Sequence, residues 1–420
     1  MMKLILRTSG VGRGISVSRR WPTPTCSRWV SIPRTPWGRS GRIKILHVIT
    51  GLENGGAEAA LYRLCTAERS HSHFVVSLSG DGKYGPLLRA AKIPLACLAM
   101  PKGRLSLKGL ASLRRVFSTY RPDVVQCWMY HANLVGGVLA RLGGISPVLW
   151  GMHNCGLDPR AASFTTRTVD RICALISGII PARIVSCSQN ASRCHIHAGY
   201  SSSNWTIIPN GYDLAVFEPD DRARARLRRD WSIGDGQFVI GNVARWHPDK
   251  DHQNLFAALS RLSMHKSLPF KCVLAGPGMT AENTALVVLL ERYDVRHKVK
   301  LLGPSDDIAG LMNAFDIHVL ASSSEAFPNV VAEAMACGTP CVGTDVGDIA
   351  MLVGNTGLIV PPRNPDALSR SIEIMASEIQ DTRSWASRRQ ACRDRIAADF
   401  SLERMAHSYG LLWEKSSLGR

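Results

Sequence analysis

Residues 317–343, with the sequence IHVLASSSEAFPNVVAEAMACGTPCVG, predict a strand, a helix and a second strand in succession. The apolar run Ile317–Ala321 is typical of a buried strand, and Pro340–Gly343 predicts the next one. Between them, Pro328 suits a first helical turn and Gly338 suits a helix end. Two strands joined by a helix run parallel. The segment therefore predicts one unit of a parallel α/β sheet.

The same alternation extends outward in both directions and predicts an α/β fold for the whole chain after its first 42 residues. Short apolar runs followed by helical patterns are typical of parallel sheets covered on both faces. The further predicted strands are Ile43–Thr50, His73–Leu78, Val124–Trp128, Val148–Met152, Ile184–Ser188, Phe238–Ala244, Lys271–Ala275 and Lys300–Leu302. Turn residues near Asn210 and Gly211 predict the link between two domains.

Net charge is the unusual feature of the composition. The 420 residues contain 51 Lys and Arg against 33 Asp and Glu, a formal charge of +18. Residues 1–42 hold nine of the cations and no acid, so half of the excess lies in a leader that we predict to be disordered. A start codon placed too far upstream, an organellar transit peptide and a basic membrane arm are three interpretations of it.

Several functional classes are disfavoured by the remaining composition. No 18 consecutive residues are apolar, so no membrane span is predicted. The twelve cysteines include no Cys-x-x-Cys pair and are typical of reduced core residues. A cluster of Cys187, Cys194, His195 and His197 matches no zinc spacing. The arginine-dense segment 222–229 lacks interleaved aromatic residues, so we interpret it as a solvated helix face and expect no nucleic-acid partner.

Charged side chains follow several strands, where ligands bind in open α/β sheets. Arg245 and Lys250 follow the strand Phe238–Ala244, and two cations on one loop can neutralise a diphosphate. Glu325 precedes the predicted helix and Glu333 lies within it. Carboxylates among apolar residues at a sheet's mouth require a polar ligand.

Three weaker signals lie at other strand ends. Gly55 and Gly56 open a helix whose backbone N–H groups could approach an anion, although a tight turn explains them equally well. His153 follows the strand Val148–Met152, where a catalytic histidine and a hydrogen-bonded structural one remain alternatives. Gly276 belongs to a glycine loop of little specificity by itself.

The segment Asp249-Lys250-Asp251 is a literal Asp-x-Asp of the kind that holds a divalent metal with a nucleotide sugar. Neighbouring Arg245 and Lys250 would oppose a cation there. We therefore predict no metal site at this loop.

Taken together, the paired glutamates, the Arg245 and Lys250 pair, the Gly55-Gly56-Ala57-Glu58 turn and the segment 208–213 resemble the retaining glycosyltransferases of family 4, from about residue 43 to the C-terminal helix. The resemblance implies the GT-B fold, in which two Rossmann-like domains face each other across a cleft. The implied division is a leader at 1–42, an acceptor domain at 43–211, a nucleotide-sugar domain at 212–399 and a C-terminal helix at 400–420 that packs back toward the first domain.

The resemblance also implies residue roles. Arg245 and Lys250 would hold the donor diphosphate, Glu325 the hydroxyls of the transferred sugar and Glu333 the ribose, with His153 beside the sugar. The residues implied to bind substrate are Gly55, Gly56, Glu58, Gly276, Phe327, Pro328, Asn329, Val330 and Glu333. Members of this family transfer without a metal, so no metal or other cofactor would be needed. A nucleotide-diphosphate sugar would be the co-substrate.

By the same resemblance, the reaction would be a retaining hexosyl transfer from a nucleotide sugar to a glycan or lipid-linked acceptor in lipopolysaccharide or other cell-surface polysaccharide synthesis. The implied location is cytoplasmic, with peripheral contact at the inner face of the plasma membrane as a further expectation. A nucleotide-sugar epimerase or hydrolase, and a non-catalytic nucleotide-sugar binder, are the alternatives. Segment 102–115 is a candidate interfacial stretch, for which an amphipathic helix packed on the sheet is the preferred interpretation.

Overall fold

The computed structural model describes residues 42–101, 106–157, 163–234, 236–264 and 268–418. The predicted leader therefore lies outside the described residues except for Arg42, and so do residues 102–105 of the candidate interfacial stretch. No helix among the described residues is both long enough and apolar enough to cross a membrane.

The described chain folds around two parallel sheets, which confirms the predicted α/β class. The strands are β1 Lys44–Ile49, β2 Ser72–Ser77, β3 Leu95–Cys97, β4 Val124–Trp128, β5 Val148–Met152, β6 Arg183–Ser186, β7 Trp205–Ile207, β8 Phe238–Val243, β9 Phe270–Ala275, β10 Val299–Gly303, β11 Ile317–Leu320, β12 Cys341–Thr344 and β13 Leu358–Val360. The first sheet has the order β3-β2-β1-β4-β5-β6-β7 and the second β10-β9-β8-β11-β12-β13.

Helices connect these strands and cover both faces of each sheet. They are α1 Gly56–Ala67, α2 Tyr84–Ala90, α3 Leu107–Tyr120, α4 Tyr130–Leu142, α5 Phe164–Ile176, α6 Gln189–His197, α7 Asp221–Asp230, α8 His252–Met264, α9 Thr284–Arg292, α10 Ile308–Ala314, α11 Asn329–Ala336, α12 Ile349–Val353, α13 Pro365–Glu378, α14 Thr382–Asp399 and α15 Leu402–Leu418. Helix α11 matches the helix predicted between Pro328 and Cys337 to within one residue at each end.

Strands β3, β7 and β13 escaped sequence prediction for a common reason. Each has three residues and lies at the edge of its sheet. All three residues of β7 are only half-buried. A short edge strand carries too few apolar residues to give a periodic pattern.

The last helix returns to the first domain. Tyr212 forms a parallel bridge with Ser401, so the two crossings between the domains lie side by side. Helix α15 then inserts Met405, Tyr409 and Trp413 into the core that surrounds β1. The predicted packing of the C-terminal helix toward the first domain is confirmed.

The interpretation of segment 222–229 as a solvated face is wrong for two of its arginines. Arg224 and Arg228 bind the buried carboxylate of Asp316, at 2.5 and 2.8 Å, and also donate to main-chain carbonyls of the α10–β11 turn. Buried carbonyls and a buried carboxylate need donors, and these two guanidinium groups supply them.

Helix α3 packs on the first sheet through Leu113, Val116 and Phe117, whereas Leu107 is exposed. The described part of the candidate interfacial stretch is thus the packed amphipathic helix that the sequence favoured.

Candidate functional site

The side chains of Lys250 and Glu325 meet where β8 and β11 end side by side. Lys250 closes a short 3₁₀ helix after β8, and its ammonium group forms an ion pair with Oε1 of Glu325. Ser322 donates a hydrogen bond to the same oxygen at 2.7 Å. The second domain therefore fixes both groups without help from a ligand.

Two buried histidines surround Lys250. Burial, with the charge of Lys250 as a smaller cause, lowers the pKa of His252 to about 4 and that of His318 to about 3. Both rings are neutral near pH 7, so Lys250 is the cation of this group.

Arg245 lies at the end of β8 and is exposed. The glycine loop after β9 passes close to it: Gly276 has φ +135°, and a Cβ there would lie 2.2 Å from the carbonyl oxygen of Ala244. Only glycine permits this approach. The structure thus brings Arg245 and the Gly276 loop together at the mouth of the second sheet.

Helix α11 begins with its first-turn amides free of any side-chain cap from the described chain. Pro328 occupies the N-cap position and supplies no N–H, while buried Phe327 packs on Phe400 with ring centroids 5.8 Å apart. An uncapped helix N-terminus favours an anion. Val330 lies half-buried in the first turn.

Glu333 faces the first domain from the same helix. Its carboxylate lies 3.8 Å from the guanidinium of Arg63 on α1. Burial raises the pKa of Glu333, and the charge of Arg63 opposes that rise. Arg63 also lies over the ring of Tyr212, with 4.9 Å between the guanidinium carbon and the ring centroid.

Asn329 joins the helix to the interdomain crossing. Its side-chain oxygen accepts hydrogen bonds from Asn210 at 3.0 Å and from the hydroxyl of Tyr212 at 2.6 Å. A Cβ at Gly56 would lie 3.3 Å from its amide nitrogen. The side chain of Asn329 therefore contributes to the contact between the domains. Its backbone N–H is the group that could face a nucleotide-sugar donor.

His153 lies at the carboxyl end of β5, as predicted, and stacks on Trp128 with ring centroids 5.1 Å apart. Both ring nitrogens are buried and make no hydrogen bond of regular geometry in the described chain, although the side chain of Asn210 lies close enough to act on the ring. Burial, with the charge of Arg63 as a smaller cause, lowers the pKa of His153 to about 4, whereas Asn210 opposes the shift. The ring is therefore neutral near pH 7, and its nitrogens are free to form further hydrogen bonds with a ligand.

The turn at Gly55 and Gly56 opens α1 at the carboxyl end of β1. Glu58 turns its carboxylate back over Gly55, because a Cβ at Gly55 would lie 2.3 Å from Oε2 of Glu58. Burial raises the pKa of Glu58. The structure brings these residues to the cleft edge.

Two further residues form contacts between the two domains, and no sequence pattern indicated them. Asp348, in the second domain, accepts hydrogen bonds from the backbone N–H groups of Gln189 at 2.7 Å and Asn190 at 2.9 Å, at the start of α6. Cys155 donates its thiol to the carbonyl oxygen of Glu325 at 2.9 Å. Arg63 was missed as well, because an arginine in an amphipathic helix is ordinarily solvated.

The aspartates of the Asp-x-Asp segment are engaged in different local contacts. Asp249 lies 3.2 Å from Nδ1 of His247, and Asp251 accepts from the backbone N–H of Asn254 at 3.2 Å. Likewise His195, in the cysteine and histidine cluster, hydrogen-bonds through both ring nitrogens, to Tyr130 at 2.9 Å and to the carbonyl of Ala191 at 2.7 Å.

Among the described residues, His47, Cys65 and His73 place potential metal ligands together. The indole N–H of Trp128 donates to Nδ1 of His47 at 3.2 Å, so the proton of this neutral ring is on Nε2. That nitrogen lies 2.9 Å from Nδ1 of His73, whose Nε2 then donates to Glu68 at 2.9 Å. The two histidines fit an ordered hydrogen-bond network better than a metal site, and burial raises the pKa of the Cys65 thiol, which disfavours the thiolate that a metal would bind.

Comparison with known proteins matches both halves of the chain. The family model described as Glycosyltransferase Family 4 matches residues 54–216, and the model described as Glycosyl transferases group 1 matches residues 237–378. Each match contains most of one sheet.

Among curated relatives, the putative glycosyltransferase EpsF of Bacillus subtilis is 25% identical over 327 residues, covering 73% of this chain and 80% of that one. The UDP-Gal:alpha-D-GlcNAc-diphosphoundecaprenol alpha-1,3-galactosyltransferase of Escherichia coli is 22% identical over 371 residues, covering 86% and 94%. The solved structure of Anabaena HepE in complex with UDP and glucose superposes with a TM-score of 0.77 at 23% identity, covering 89% and 100%. These likenesses establish the GT-B fold predicted from the sequence.

Proposed function

The chain belongs to the glycosyltransferases, and we propose that it moves a hexosyl group from a nucleotide-diphosphate sugar to a glycan or lipid-linked acceptor, with retention at the anomeric carbon and without a metal. The observation that carries this proposal is the Lys250 and Glu325 pair, held at the mouth of the second sheet beside the chain segment that follows His153.

The leaving diphosphate is the group that most needs stabilisation. In the proposed reaction the bond from the anomeric carbon to the diphosphate oxygen breaks, a bond to the acceptor oxygen forms on the same face, and the acceptor proton passes to the diphosphate. The negative charge that develops there would be stabilised by Lys250, Arg245 and the uncapped start of α11. Because Lys250 is already fixed, it needs little reorganisation during the reaction.

Glu325 is better suited to orienting the sugar than to attacking it. Its Oε1 already accepts from Lys250 and Ser322, which weakens it as a nucleophile. Its remaining lone pairs can accept from sugar hydroxyls. The neutral ring of His153 can satisfy its buried nitrogens with a further hydroxyl.

Metal independence is supported by the contacts of Asp249 and Asp251. One aspartate pairs with His247 and the other caps α8, so the two carboxylates do not form a joint set of ligands.

The acceptor proposal draws on the E. coli relative, whose name specifies a diphosphoundecaprenol-linked substrate. We propose that the first domain binds such an acceptor at the cytoplasmic face of the membrane during cell-surface polysaccharide synthesis. The donor base and sugar are to be found by experiment.

The test begins with thermal stabilisation of the full chain by UDP-, GDP- and ADP-sugars, which identifies the donor. The stabilising donor is then incubated with lipid-linked acceptors in the presence of a chelator, and the anomeric configuration of the product is determined by NMR. A new glycosidic bond that keeps the donor's configuration supports the proposal. An inverted product, or loss of transfer on chelation, contradicts the retaining or metal-free assignment respectively.

The alternatives give different products. An epimerase would return the donor with an altered sugar, a hydrolase would release free sugar and a non-catalytic binder would leave the donor unchanged. Any of these without a new glycosidic bond refutes the transferase proposal.

A further inference from the structure

Helix α5 exposes an apolar face to solvent. Five of the fourteen large hydrophobic residues that are exposed in the described chain lie on α5, on the turn after it and at the end of neighbouring α4. Leu175 is 81% exposed, Ile179 72%, Phe164 76% and Leu142 78%. Contiguous apolar patches are uncommon on monomers and mark interaction sites.

The spacing places these side chains on one stripe. Phe164, Ile172, Leu175 and Ile179 recur at intervals of three, four and eight, so they line one side of the helix and of the turn that extends it. The opposite side carries Val169, Cys173 and Ile176, which pack on the core of the first domain. Helix α5 is therefore apolar on two sides, and the residues that the structure describes cover only one of them.

The charges beside the exposed stripe have one sign. Arg167 and Arg171 are exposed along it. Asp170, the acid of this helix, is directed to Tyr200, whose hydroxyl donates to its carboxylate at 2.7 Å. We define the α5 face as Phe164, Arg167, Arg171, Ile172, Leu175 and Ile179.

We propose that the α5 face docks on an anionic lipid surface. A stripe of large apolar side chains flanked by arginines is the composition of helices that lie in the membrane interface. A second copy of the chain fits less well, because a two-fold contact would bring four arginines together without an acid.

The position of α5 suggests a role for this membrane contact in sugar transfer. This role rests on the proposed function. The helix begins eleven residues after His153, on the connection that leaves the carboxyl end of β5. A membrane held against α5 would bring the head group of a lipid-linked acceptor to the edge of the cleft.

The test is co-sedimentation of the full chain with vesicles of phosphatidylcholine containing about 30 mol% phosphatidylglycerol. The variant Leu175→Ser/Ile179→Ser should bind at least about tenfold more weakly than the unaltered chain, because it removes apolar area from the interface. The variant Arg167→Ser/Arg171→Ser should lose most of its preference for vesicles with phosphatidylglycerol over those without it.

The control is Val288→Ser/Ile374→Ser, which removes two exposed apolar residues, 56% and 53% exposed, from helices of the second domain. It should bind like the unaltered chain. Equal binding by the control and by the Leu175 variant would overturn the proposal and assign vesicle binding to another part of the chain, such as the nine cations of residues 1–42. A dimer that the Leu175 variant converts to monomers in sedimentation velocity would overturn it in favour of a second copy.

Sugar transfer to a water-soluble acceptor analogue separates this proposal from the proposed function. The Leu175 variant should keep that activity and lose transfer to an acceptor presented in vesicles. If the unaltered chain binds vesicles through the α5 face and transfers no sugar, the surface stands and the proposed function fails.

Discussion

The two walls of the cleft differ in how far the groups proposed to act in the reaction are bound to one another. On the second domain, Lys250, Glu325 and Ser322 already bind one another, although Nε2 of neighbouring His252 and Nδ1 of His318 have no partner in the described chain. On the first domain, His153 has two buried ring nitrogens that make no hydrogen bond of regular geometry in the described chain, and the hydroxyl of Thr50 is in the same state. The charged pair of the second domain is thus organised before substrate arrives, whereas His153 can gain further hydrogen bonds from a ligand or solvent.

This difference suggests a division of labour. Groups that stabilise developing charge work best when they are fixed in advance. Groups that recognise a substrate gain specificity when they are left unpaired without it. The predictions below test this division from the largest expected effect to the smallest.

Lys250→Ala should reduce kcat/KM by about 100-fold to 1,000-fold, because it removes a fixed cation from the diphosphate. Steady-state kinetics with the donor identified by thermal stabilisation provide the measurement. Lys415→Ala, which alters an exposed lysine on α15, is the control and should be unchanged. A kcat/KM of the Lys250 variant within about threefold of that of the unaltered chain would show that this fixed cation does not stabilise the reaction.

His153→Ala should reduce kcat/KM by about 10-fold to 100-fold, because it removes the hydrogen bonds that one neutral ring would make to the substrate. The free energy of unfolding should fall little or rise, because the change also removes two buried nitrogens that make no hydrogen bond of regular geometry. Urea denaturation and kinetics measured on one preparation separate the two effects. A variant that loses stability and keeps its activity would indicate a structural histidine.

Asp348→Asn should raise the KM for the donor by up to about tenfold, because the amide cannot accept from both N–H groups at the start of α6 as a carboxylate does. Small-angle scattering should show a larger radius of gyration as the seam loosens. Asp345→Asn, in the same loop and exposed, is the control. An unchanged radius and KM would exclude Asp348 as a domain contact that matters in solution.

The pH dependence of stability should be the smallest effect. The pKa of His252 is lowered to about 4 in the folded chain, against about 6.5 when unfolded, so the unfolded state binds the proton first as pH falls. Stability is therefore full above pH 6.5 and declines toward pH 4, by about 1 kcal/mol near pH 5.5 for this histidine. Urea titrations at pH 7.5 and 5.5 measure how much the free energy of unfolding falls between these two pH values. For His252→Gln this fall should be smaller than for the unaltered chain by about 1 kcal/mol. Equal losses in the variant and the unaltered chain would contradict the assignment.

Sequence reasoning reached the fold because buried parallel strands are short apolar runs that periodicity detects. It placed Lys250, Glu325 and His153 correctly at strand ends because the edge of a parallel sheet follows from strand direction alone. Their roles in the reaction remain predictions.

Contacts across the cleft escaped sequence reasoning. Arg63, Asp348 and Cys155 each lie opposite a residue more than a hundred positions away. The sequence around each of these residues does not indicate such a partner, because contacts between two domains depend on how two separately folded sheets are placed relative to each other. The arginines of α7 were misjudged for a different reason: their partner Asp316 belongs to the same domain but lies 92 positions after Arg224 in the sequence.

The docking of α15 on the first domain has a consequence for synthesis of the chain. Trp413 is fully buried there, yet the ribosome makes it about 200 residues after the last strand of that domain, a delay on the order of 10–40 s. Until then the apolar surface around β1 lacks its cover. We therefore expect a nascent first domain to expose an apolar surface of the kind that chaperones bind, and a stop codon that removed only the last helix should leave this surface permanently open.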